Sequence, residues 1–378
     1  MAPRVLILGA GFGGLELATS LSEALGNKVD VTLIDKADWF MFGFAKLDVM
    51  FGHATLDESK HYYTDFNKPG VRRVKETVTS IDPKKRRVTT DAGTHEADIL
   101  VIALGADYDI STTPGITFGE NEFYTVDGAT HLRDVLPAFE KGRAVIGVCG
   151  APYKCPPAPS ECALMLHDSL VERGVRGDCK ITIINPLSSP VPPSPETSKA
   201  LLEAFAERDI TFIPNRRVTA VDNDRKIVTI DDGSELAFDL FLGIPNNRAP
   251  DVVVAAGLTE NGWVTIDHRT LKTPFEGVYA IGDLANTGAP KAGVFAEGAA
   301  KTVAANLIAM FQNQEQTAKF PGFGSCYIEF GGGRIARVEV DFFSGPKPTG
   351  VYYAPSTDLM ADKANFSKTR RKRWFNQD

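Results

Sequence analysis

Short apolar runs that end in glycine or aspartate recur along the first hundred residues, at 5–8, 29–34 and 98–105. Between the first two runs, residues 15–25 carry apolar side chains at helical spacing. Runs of this kind are typical of parallel strands that are buried on both faces and joined by crossover helices. The pattern predicts an α/β unit at the start of the chain.

A second stretch repeats this layout. Residues 109–240 are predicted to hold alternating helices and strands and then a meander, at 129–141, 143–148, 161–173, 180–185, 196–208 and 216–236. The first unit has a matching antiparallel meander, predicted at 71–96. The repeated order indicates an internal duplication. The predicted domains are 1–108 together with 241–320, 109–240, and 321–378, the last with a hairpin around 331–333.

The first helix is preceded by glycines in the order that binds a dinucleotide. Gly9 provides the tight turn, Gly11 lets a pyrophosphate approach the backbone, and Gly14 lets helix and strand pack closely. Asp35, which ends the second strand, is placed to accept a hydrogen bond from a ribose hydroxyl. We therefore predict an α/β fold with two Rossmann-like dinucleotide-binding domains of the FAD/NAD(P) type and a small α+β C-terminal domain.

The matching turn of the second unit has a different sequence. Its strand ends in Gly147 and Gly150, but a Tyr-Lys-Cys-Pro-Pro-Ala-Pro segment around Cys155 replaces the second glycine pattern. Prolines fix φ, so this segment forms a stiff approach to a helix predicted to begin near residues 160–161. A helix N-terminus and the adjacent Lys154 favour a thiolate, so Cys155 is predicted to be a reactive cysteine.

A further glycine-rich element lies at residues 273–283. It ends in Gly282 and Asp283 and leads past Lys291 and Gly293 into a helix predicted at 294–310. The N-terminus of that helix is expected to point at a ligand.

The most aromatic segment, residues 39–52, has two interpretations. Its rings form a wall for a flavin or a hydrophobic electron acceptor, or they are the core packing of a helix on the first sheet. The sequence leaves both open.

Composition excludes several classes of protein. A net charge of −7 and a pI near 5.5 argue against nucleic-acid binding. No apolar run approaches the roughly 20 residues that span a bilayer, and no metal site is predicted. The chain enters its first strand without a leader, and its five cysteines do not suit a secreted disulfide framework. We expect a cytoplasmic protein in which any disulfide is catalytic.

Taken together, the motifs resemble the two-dinucleotide-domain flavoprotein disulfide reductases over essentially the whole chain. More specifically, residues 153–161, 290–293 and 325–327 look like sulfide:quinone oxidoreductases and flavocytochrome c sulfide dehydrogenases, and the Cys-Pro-Pro-x-Pro-x-Glu element is the specific part. This resemblance implies FAD as the cofactor. It also implies that the positions matching the family's flavin contacts bind FAD here: Gly9, Gly11, Phe12, Gly13, Gly14, Asp35, Lys36, Val78, Ala103, Gly105, Gly282, Asp283, Lys291 and Gly293.

The resemblance also implies that Cys155 and Cys326 form a redox-active disulfide, or a sulfur-extended bridge, against the flavin. From the residues alone, Cys162 is a rival partner for Cys155, although seven residues of helix span about 10 Å, beyond disulfide reach. Glu161 is either a proton acceptor or donor beside Cys155 or a helix-start carboxylate stabilised by the dipole. Lys291 is expected to supply positive charge at the flavin. The other three cysteines, Cys149, Cys162 and Cys179, fit small buried hydrophobes.

This sequence departs from the family in three places. No residue between 106 and 144 supplies the third cysteine that the quinone-reducing branch commonly has. No cysteine lies near position 42, where the flavocytochrome branch attaches its flavin, so we expect non-covalent FAD. Ser160 stands where many relatives carry an aromatic residue.

The leading interpretation is an enzyme that oxidises sulfide or a small persulfide. Sulfide attacks the Cys155–Cys326 bridge, the freed thiolate reduces FAD, a quinone or other acceptor reoxidises it, and sulfane sulfur is released. One alternative is an NAD(P)H-dependent flavin reductase of a disulfide or quinone, which the missing second glycine pattern disfavours. Another is the flavoprotein subunit of a cytochrome complex. The sequence leaves the sulfur donor, the acceptor, the product chain length and the oligomeric state open.

The basic C-terminal end has two interpretations. Residues 368–375 either contact an anionic membrane surface peripherally, on the inner face of the cell membrane, or form a solvated tail that packs through Trp374 on the first domain. The second is the interpretation we favour.

Overall fold

A computed structural model describes residues 2–377. In chain order, the helices α1 to α8 of this part are Phe12–Leu25, Ala45–Met50, Val126–Val135, Ala158–Glu172, Pro195–Glu207, Asp251–Ala255, Gly293–Phe311 and Asp358–Phe375. The strands β1 to β24 are Arg4–Leu8, Asp30–Asp35, Trp39–Phe40, His61–Tyr62, Val71–Lys75, Val78–Asp82, Arg87–Thr90, Thr94–Glu96, Ile99–Ile102, Asp107–Asp109, Gly142–Val148, Cys179–Ile184, Ile210–Ile213, Val218–Asp222, Ile227–Ile230, Glu235–Ala237, Leu240–Ile244, Asn246–Arg248, Thr259–Glu260, Trp263–Val264, Val278–Ala280, Phe323–Glu329, Ile335–Asp341 and Thr349–Ser356.

The first sheet is parallel and positions the nucleotide-binding turn. Its strand order is β21-β9-β1-β2-β5. In register, Leu8 lies opposite Ile34 and Ile102, so the carboxyl ends of three strands meet at one edge. Ligands bind at that edge in doubly wound sheets, which is where the glycine pattern, Asp35 and the element ending in Asp283 emerge.

The second sheet repeats this arrangement, as the predicted duplication requires. Its four parallel strands have the order β13-β12-β11-β17. Each sheet is accompanied by a three-stranded antiparallel sheet, β6-β7-β8 or β14-β15-β16. Two short strands, β10 and β18, pair antiparallel between the two units. The α/β class with Rossmann-like cores is therefore confirmed.

One strand assignment was wrong. Residues 71–75 were expected to begin the first meander, but β5 pairs parallel with β2 at the edge of the first sheet. The meander begins at Val78. Alternation in this segment reflects an edge strand that is only partly buried, and a single sequence does not distinguish such a strand from one of a meander.

The C-terminal part is a three-stranded antiparallel sheet, β22-β23-β24, followed by the 18-residue helix α8. The hairpin around residues 331–333 is as predicted, because β22 and β23 flank it. The basic end agrees with the favoured interpretation: Lys368 and Thr369 are exposed, and the end packs on the first unit through Trp374. Trp374 and Phe375 are 0% and 2% exposed, and the indole Nε1 of Trp374 donates to Glu16 on α1 at 3.0 Å. Trp374 does pack on the first unit, and the two rings form no free apolar tip.

Helix α7 corrects one further expectation. With 19 residues it is long and apolar enough to span a bilayer by length and composition, whereas no such run was expected from the sequence. More than half of its apolar window is buried inside the protein, where α7 packs against α1. A buried core helix passes the same length and composition test, so this feature is weak evidence of a membrane span.

Candidate active site

A cavity of about 700 Å³ lies at the carboxyl edge of the first sheet and extends to the C-terminal sheet. Of the predicted FAD-binding residues, all except Gly14 line it. The four predicted catalytic residues line it as well: Cys155, Glu161, Lys291 and Cys326. The structure thus brings together residues that are far apart in the sequence, including two cysteines 171 positions apart.

The glycines act as their spacing predicts. Gly9 has a φ of +97°, and a Cβ there would lie 2.4 Å from the carbonyl oxygen of Ala103. A Cβ on Gly14 would lie 1.8 Å from the carbonyl oxygen of Gly9, so Gly14 serves helix–strand packing and not ligand contact. A Cβ on Gly11 would meet no atom of the described chain within 4 Å. The space beside Gly11 is open to the cavity.

Asp35 fixes the turn as well as facing the cavity. Its Oδ2 accepts a hydrogen bond from the Ala10 N–H at 2.6 Å, and its Oδ1 accepts one from Ala37 at 2.8 Å. The Tyr63 hydroxyl donates to the Ala10 carbonyl at 2.7 Å, and the Arg73 guanidinium lies over the Tyr63 ring. Each carboxylate oxygen keeps a lone pair, so Asp35 retains capacity for a ribose hydroxyl.

These residues fit FAD. The open space beside Gly11 suits a pyrophosphate, since a side chain there would fill it. Next to Cys326, the Ser325 Oγ is buried and has no hydrogen-bond partner within residues 2–377, although Ser325 lines the cavity. A buried hydroxyl without a partner is costly, so it indicates a polar ligand group at that point. When bound, FAD supplies two-electron redox chemistry.

Cys155 is held in an unusual backbone conformation. Its φ is +52°, in the left-handed region that non-glycine residues rarely adopt. Its N–H donates to the Lys291 carbonyl at 2.8 Å, and its carbonyl accepts from Ala158 at 2.9 Å. Such strain persists only where surrounding contacts impose it, and it is common at functional sites. Helix α4 begins at Ala158, two residues earlier than predicted, with Pro159 in its first turn.

Cys326 lies on β22, and Glu161 is held against the same strand. The Glu161 Oε1 accepts a hydrogen bond from the Glu329 N–H at 3.1 Å. Burial raises the pKa of Glu161 to about 7, with Lys363 opposing the shift. Lys363 forms an ion pair with Glu329. A carboxyl group that titrates near neutrality beside two thiols can accept or donate a proton there.

The prediction of a stabilised Cys155 thiolate was wrong for the protein alone. Burial raises the pKa of Cys155 well above its ordinary value, and Glu161 and Cys326 add to the shift. Burial raises the pKa of Cys326 to about 12. The sequence neighbour Lys154 is engaged elsewhere, because its Nζ donates to the Ala106 carbonyl at 2.8 Å and lies 3.9 Å from the centre of the Tyr108 ring. The cost of burying a thiolate, which raises the pKa of Cys155, therefore outweighs the stabilisation of the thiolate by the helix N-terminus.

Lys291 is also engaged by the protein. Its Nζ donates to the Asp283 carbonyl at 2.6 Å and lies 3.4 Å from the centre of the Trp263 ring. Burial lowers the pKa of Lys291 to about 8, while Asp283 opposes this. Burial raises the pKa of Asp283 against the pull of Lys154, Lys291 and Lys46. The buried Asp283, at the end of the element that was predicted to contact the flavin, therefore interacts with nearby lysines of opposite charge.

In the second unit, Gly150 packs closely against a neighbouring side chain. A Cβ on Gly150 would lie 2.1 Å from the Oδ1 of Asn246, whose side chain therefore occupies the space beside this glycine. The neighbouring Asn247 Oδ1 accepts from the Lys154 N–H at 3.1 Å, which fixes the cysteine loop in this region. In the first unit the corresponding space, beside Gly11, is open.

The sequence matches the family model described as pyridine nucleotide-disulphide oxidoreductase over residues 3–305. The chain belongs to this family. The predicted FAD cofactor and the oxidoreductase class are thereby confirmed.

Two named relatives and one solved structure are similar to this chain over most of its length. The chain is 28% identical over 371 residues to a sulfide-quinone reductase of Aquifex aeolicus, covering 88% of this chain and 82% of the relative. It is 24% identical over 362 residues to the mitochondrial sulfide:quinone oxidoreductase of Mus musculus, covering 92% and 80%. The crystal structure of the Aquifex aeolicus sulfide:quinone oxidoreductase superposes with a TM-score of 0.84 at 23% identity, covering 98% of this chain and 91% of that one.

Sequence reasoning missed several residues of this family member's cavity. Lys46, Tyr124, Lys363 and Phe366 all line it. Lys46 and Phe366 lie in segments whose pattern indicates helices but not the direction of single side chains. The aromatic segment contributes both to the cavity lining and to a buried aromatic cluster, but that cluster is formed with α8 and not by a helix on the first sheet. Phe40 and Phe44 line the cavity, and the Phe40 and Phe42 rings also pack against Trp374 of α8.

Proposed function

We propose that this protein oxidises sulfide or a small persulfide through a Cys155–Cys326 pair, passes the two electrons to FAD and then to a quinone, and releases sulfane sulfur. The observation that carries the proposal is the meeting of Cys155, Cys326 and Glu161 in the cavity that the dinucleotide elements line. The names of the relatives above support the same substrate and acceptor.

The proposed steps balance with one hydrosulfide and one sulfur acceptor, a second hydrosulfide or a thiol, for each quinone reduced. Cys155 and Cys326 are free thiols in the structure, so the disulfide implied by the resemblance belongs to the proposed oxidised state. In that state, hydrosulfide attacks one sulfur of the disulfide, the S–S bond breaks, and one cysteine becomes a persulfide while the other leaves as a thiolate. A second hydrosulfide or thiol takes the outer sulfur as the sulfane product and leaves a second thiolate. The two thiolates would then reform the disulfide and give up two electrons; FAD, held by the residues that line the cavity, would supply the two-electron chemistry that carries them to the quinone, which takes up two protons as well.

Glu161 is proposed as the group that takes and returns protons at the cysteines. Its negative charge raises the pKa of both thiols, and its own pKa is about 7. The Glu329 N–H fixes its orientation. Lys291 and the N-terminus of α7 are proposed to favour negative charge on the flavin side of the cavity.

Three aromatic side chains that line the cavity support a planar, apolar electron acceptor. Phe44, Tyr327 and Phe366 line one end of the cavity, and the Phe366 ring lies 6.3 Å from Phe44 and 6.1 Å from Tyr327. The Lys363 ammonium lies 5.1 Å from the centre of the Phe44 ring. Rings with one nearby cation suit a quinone, which has an apolar face and polar oxygens.

Peripheral membrane contact is part of this proposal because quinones are apolar. It would not use Trp374 and Phe375, which are buried. Basic side chains of residues 368–375 would carry it, although Arg370 and Arg373 already form ion pairs with Glu297 and with Glu16 and Glu23. Cytoplasmic location stays a prediction.

The NAD(P)H-dependent alternative is less well supported. A second nucleotide would have to approach Gly150, and the Asn246 side chain lies in that space. No feature of residues 2–377 favours a cytochrome subunit over an enzyme.

The test is sulfide-dependent quinone reduction by cysteine variants of the FAD-loaded protein. Cys155→Ser and Cys326→Ser should each lower kcat at least about a hundredfold, since each removes half of the proposed redox pair. Cys162→Ala is the matched control, because Cys162 is fully buried in α4 and does not line the cavity. Turnover of Cys155→Ser within a few-fold of wild type, at equal FAD content, would contradict the proposal.

A further inference from the structure

The peptide group that leads into Cys155 is bound at both of its polar ends. Its carbonyl, which belongs to Lys154, accepts a hydrogen bond from the Tyr124 hydroxyl at 2.7 Å. Its N–H, which belongs to Cys155, donates to the Lys291 carbonyl at 2.8 Å. One peptide earlier, the Lys154 N–H donates to the Asn247 side chain at 3.1 Å. Because φ is the rotation of a residue about the bond from this rigid plane, contacts that hold the plane also hold φ.

Cys155 needs such contacts, because its φ of +52° lies in the left-handed region. A residue with a side chain is disfavoured there and keeps this conformation only when the surrounding structure imposes it. The following part of the loop is restrained within itself, since the Cys155 carbonyl accepts from the Ala158 N–H at 2.9 Å. Without the contacts on the preceding peptide plane, φ would relax toward the negative values that cysteine favours.

Tyr124 supplies the one side-chain hydrogen bond to this peptide group. Its side chain is 6% exposed and lines the cavity together with Cys155. Its own backbone is fixed, because its N–H donates to the Glu122 carboxylate at 2.7 Å and its carbonyl accepts from the Tyr108 hydroxyl at 3.0 Å. Burial raises the pKa of Tyr124 well above its ordinary value, so the hydroxyl remains a donor at neutral pH.

We propose that Tyr124 is a positioning residue for Cys155, whose hydroxyl holds the peptide plane before the cysteine and so fixes where the sulfur lies in the cavity. The inference deepens the proposed function and rests on it for its catalytic consequence. A disulfide between Cys155 and Cys326 forms only within narrow limits of distance and direction, so a sulfur held in one place shortens the search for that geometry.

The test is the alkylation rate of single cysteines in the FAD-loaded Tyr124→Phe protein. The protein is reduced with a dithiol, treated with iodoacetamide at about pH 8, and the Cys155 and Cys162 peptides are quantified over time by mass spectrometry. Tyr124→Phe keeps the ring and removes one hydrogen bond. The partly buried Cys155 thiol should then reach solvent more often and be alkylated about tenfold faster. Cys162, fully buried in α4, should keep its rate within about twofold, because the fold itself is intact.

Tyr353→Phe is the matched control, because its hydroxyl donates to Glu339 at 3.0 Å and Tyr353 does not line the cavity. This variant should leave both alkylation rates as in wild type. An unchanged Cys155 rate in Tyr124→Phe would overturn the proposal. An equal rise at Cys162 would do so as well, since it would show a general loosening of the protein.

Turnover measures the catalytic consequence separately. At equal FAD content, Tyr124→Phe should lower kcat for sulfide-dependent quinone reduction about tenfold and keep KM for the quinone within about twofold. Faster Cys155 alkylation with an unchanged kcat would contradict the role in catalysis. Alkylation requires neither sulfide nor quinone, so a wild-type protein without sulfide turnover would refute the proposed function and leave the alkylation test of Tyr124 valid.

Discussion

At the scale of single residues, Glu161 shows how the site depends on burial. Its side chain is 3% exposed on α4 and accepts one hydrogen bond from the Glu329 N–H at 3.1 Å. Burial raises its pKa to about 7, Lys363 opposes the shift, and the Glu329 carboxylate adds to it. A helix-start carboxylate exposed to solvent would have no such shift, which is consistent with the proposed proton exchange at Glu161.

This shift predicts a pH-dependent difference in stability between wild type and Glu161→Gln. The folded protein binds the Glu161 proton more tightly than the unfolded chain, whose ordinary value is 4.5. The stabilisation is complete below that value and is lost as the pH rises through about 7. Glu161→Gln should therefore gain up to about 3 kcal/mol relative to wild type between pH 4.5 and 8.

Denaturant unfolding of both proteins across that pH range measures the difference. Glu207→Gln, at an exposed carboxylate on α5, controls for the substitution itself. A Glu161→Gln advantage that grows as the pH falls would have the wrong sign and would contradict the shift.

The role of a single residue could be predicted from the sequence where that role depends on the local backbone. Gly9, Gly14 and Asp35 have local roles that follow from their spacing, and the structure shows the contacts expected of them. The state of Cys155 could not be predicted in this way. Its helix N-terminus is visible in the sequence, but the burial that outweighs it arises only in the folded chain, where Cys326 of β22 also adds to the shift.

At the scale of elements, α8 closes the cavity and ties the C-terminal sheet to the first unit. Lys363 and Phe366 line the cavity from this helix. At its end, Arg373 forms ion pairs with Glu16 and Glu23 of α1, and Trp374 donates to Glu16. Glu16 is 1% exposed, so its buried charge depends on these two partners.

Trp374→Ala should destabilise the protein by about 3–5 kcal/mol, because it removes a fully buried indole from a cluster with Phe12, Phe40 and Phe42. Trp374→Phe keeps much of the volume and should cost about 1–2 kcal/mol for the lost Nε1 donor. The midpoint of denaturant unfolding measures both. Phe118→Ala, at an exposed ring, is the control. Equal midpoints for Trp374→Ala and Phe118→Ala would show that α8 is not anchored there.

Most elements could be predicted because hydrophobic periodicity is a local property. The predicted helices and most of the predicted parallel strands are present, although β13 and α6 were not predicted. The exceptions depend on distant partners. Strand β5 joins the first sheet at the edge of β2, and β13, which was not predicted, joins the second sheet at the edge of β12.

At the scale of the whole molecule, two copies of one architecture serve different purposes. The first unit leaves the space beside Gly11 open, whereas the second fills the space beside Gly150 with Asn246 and carries the cysteine loop instead. The division into 1–108 with 241–320, 109–240 and 321–378 stays a prediction, and its end residues 1 and 378 lie outside the described part. The cavity draws residues from all three predicted domains.

The most direct measurement is the absorbance of the bound flavin during anaerobic mixing in a stopped-flow instrument. Sulfide should bleach the wild-type flavin rapidly, a quinone should restore the colour, and NADH should bleach it at least about a hundredfold more slowly because Asn246 fills the second nucleotide space. Sulfide should leave the flavin of Cys155→Ser oxidised. Bleaching by NADH at a rate similar to that of sulfide, or bleaching of Cys155→Ser by sulfide at the wild-type rate, would contradict the central claim.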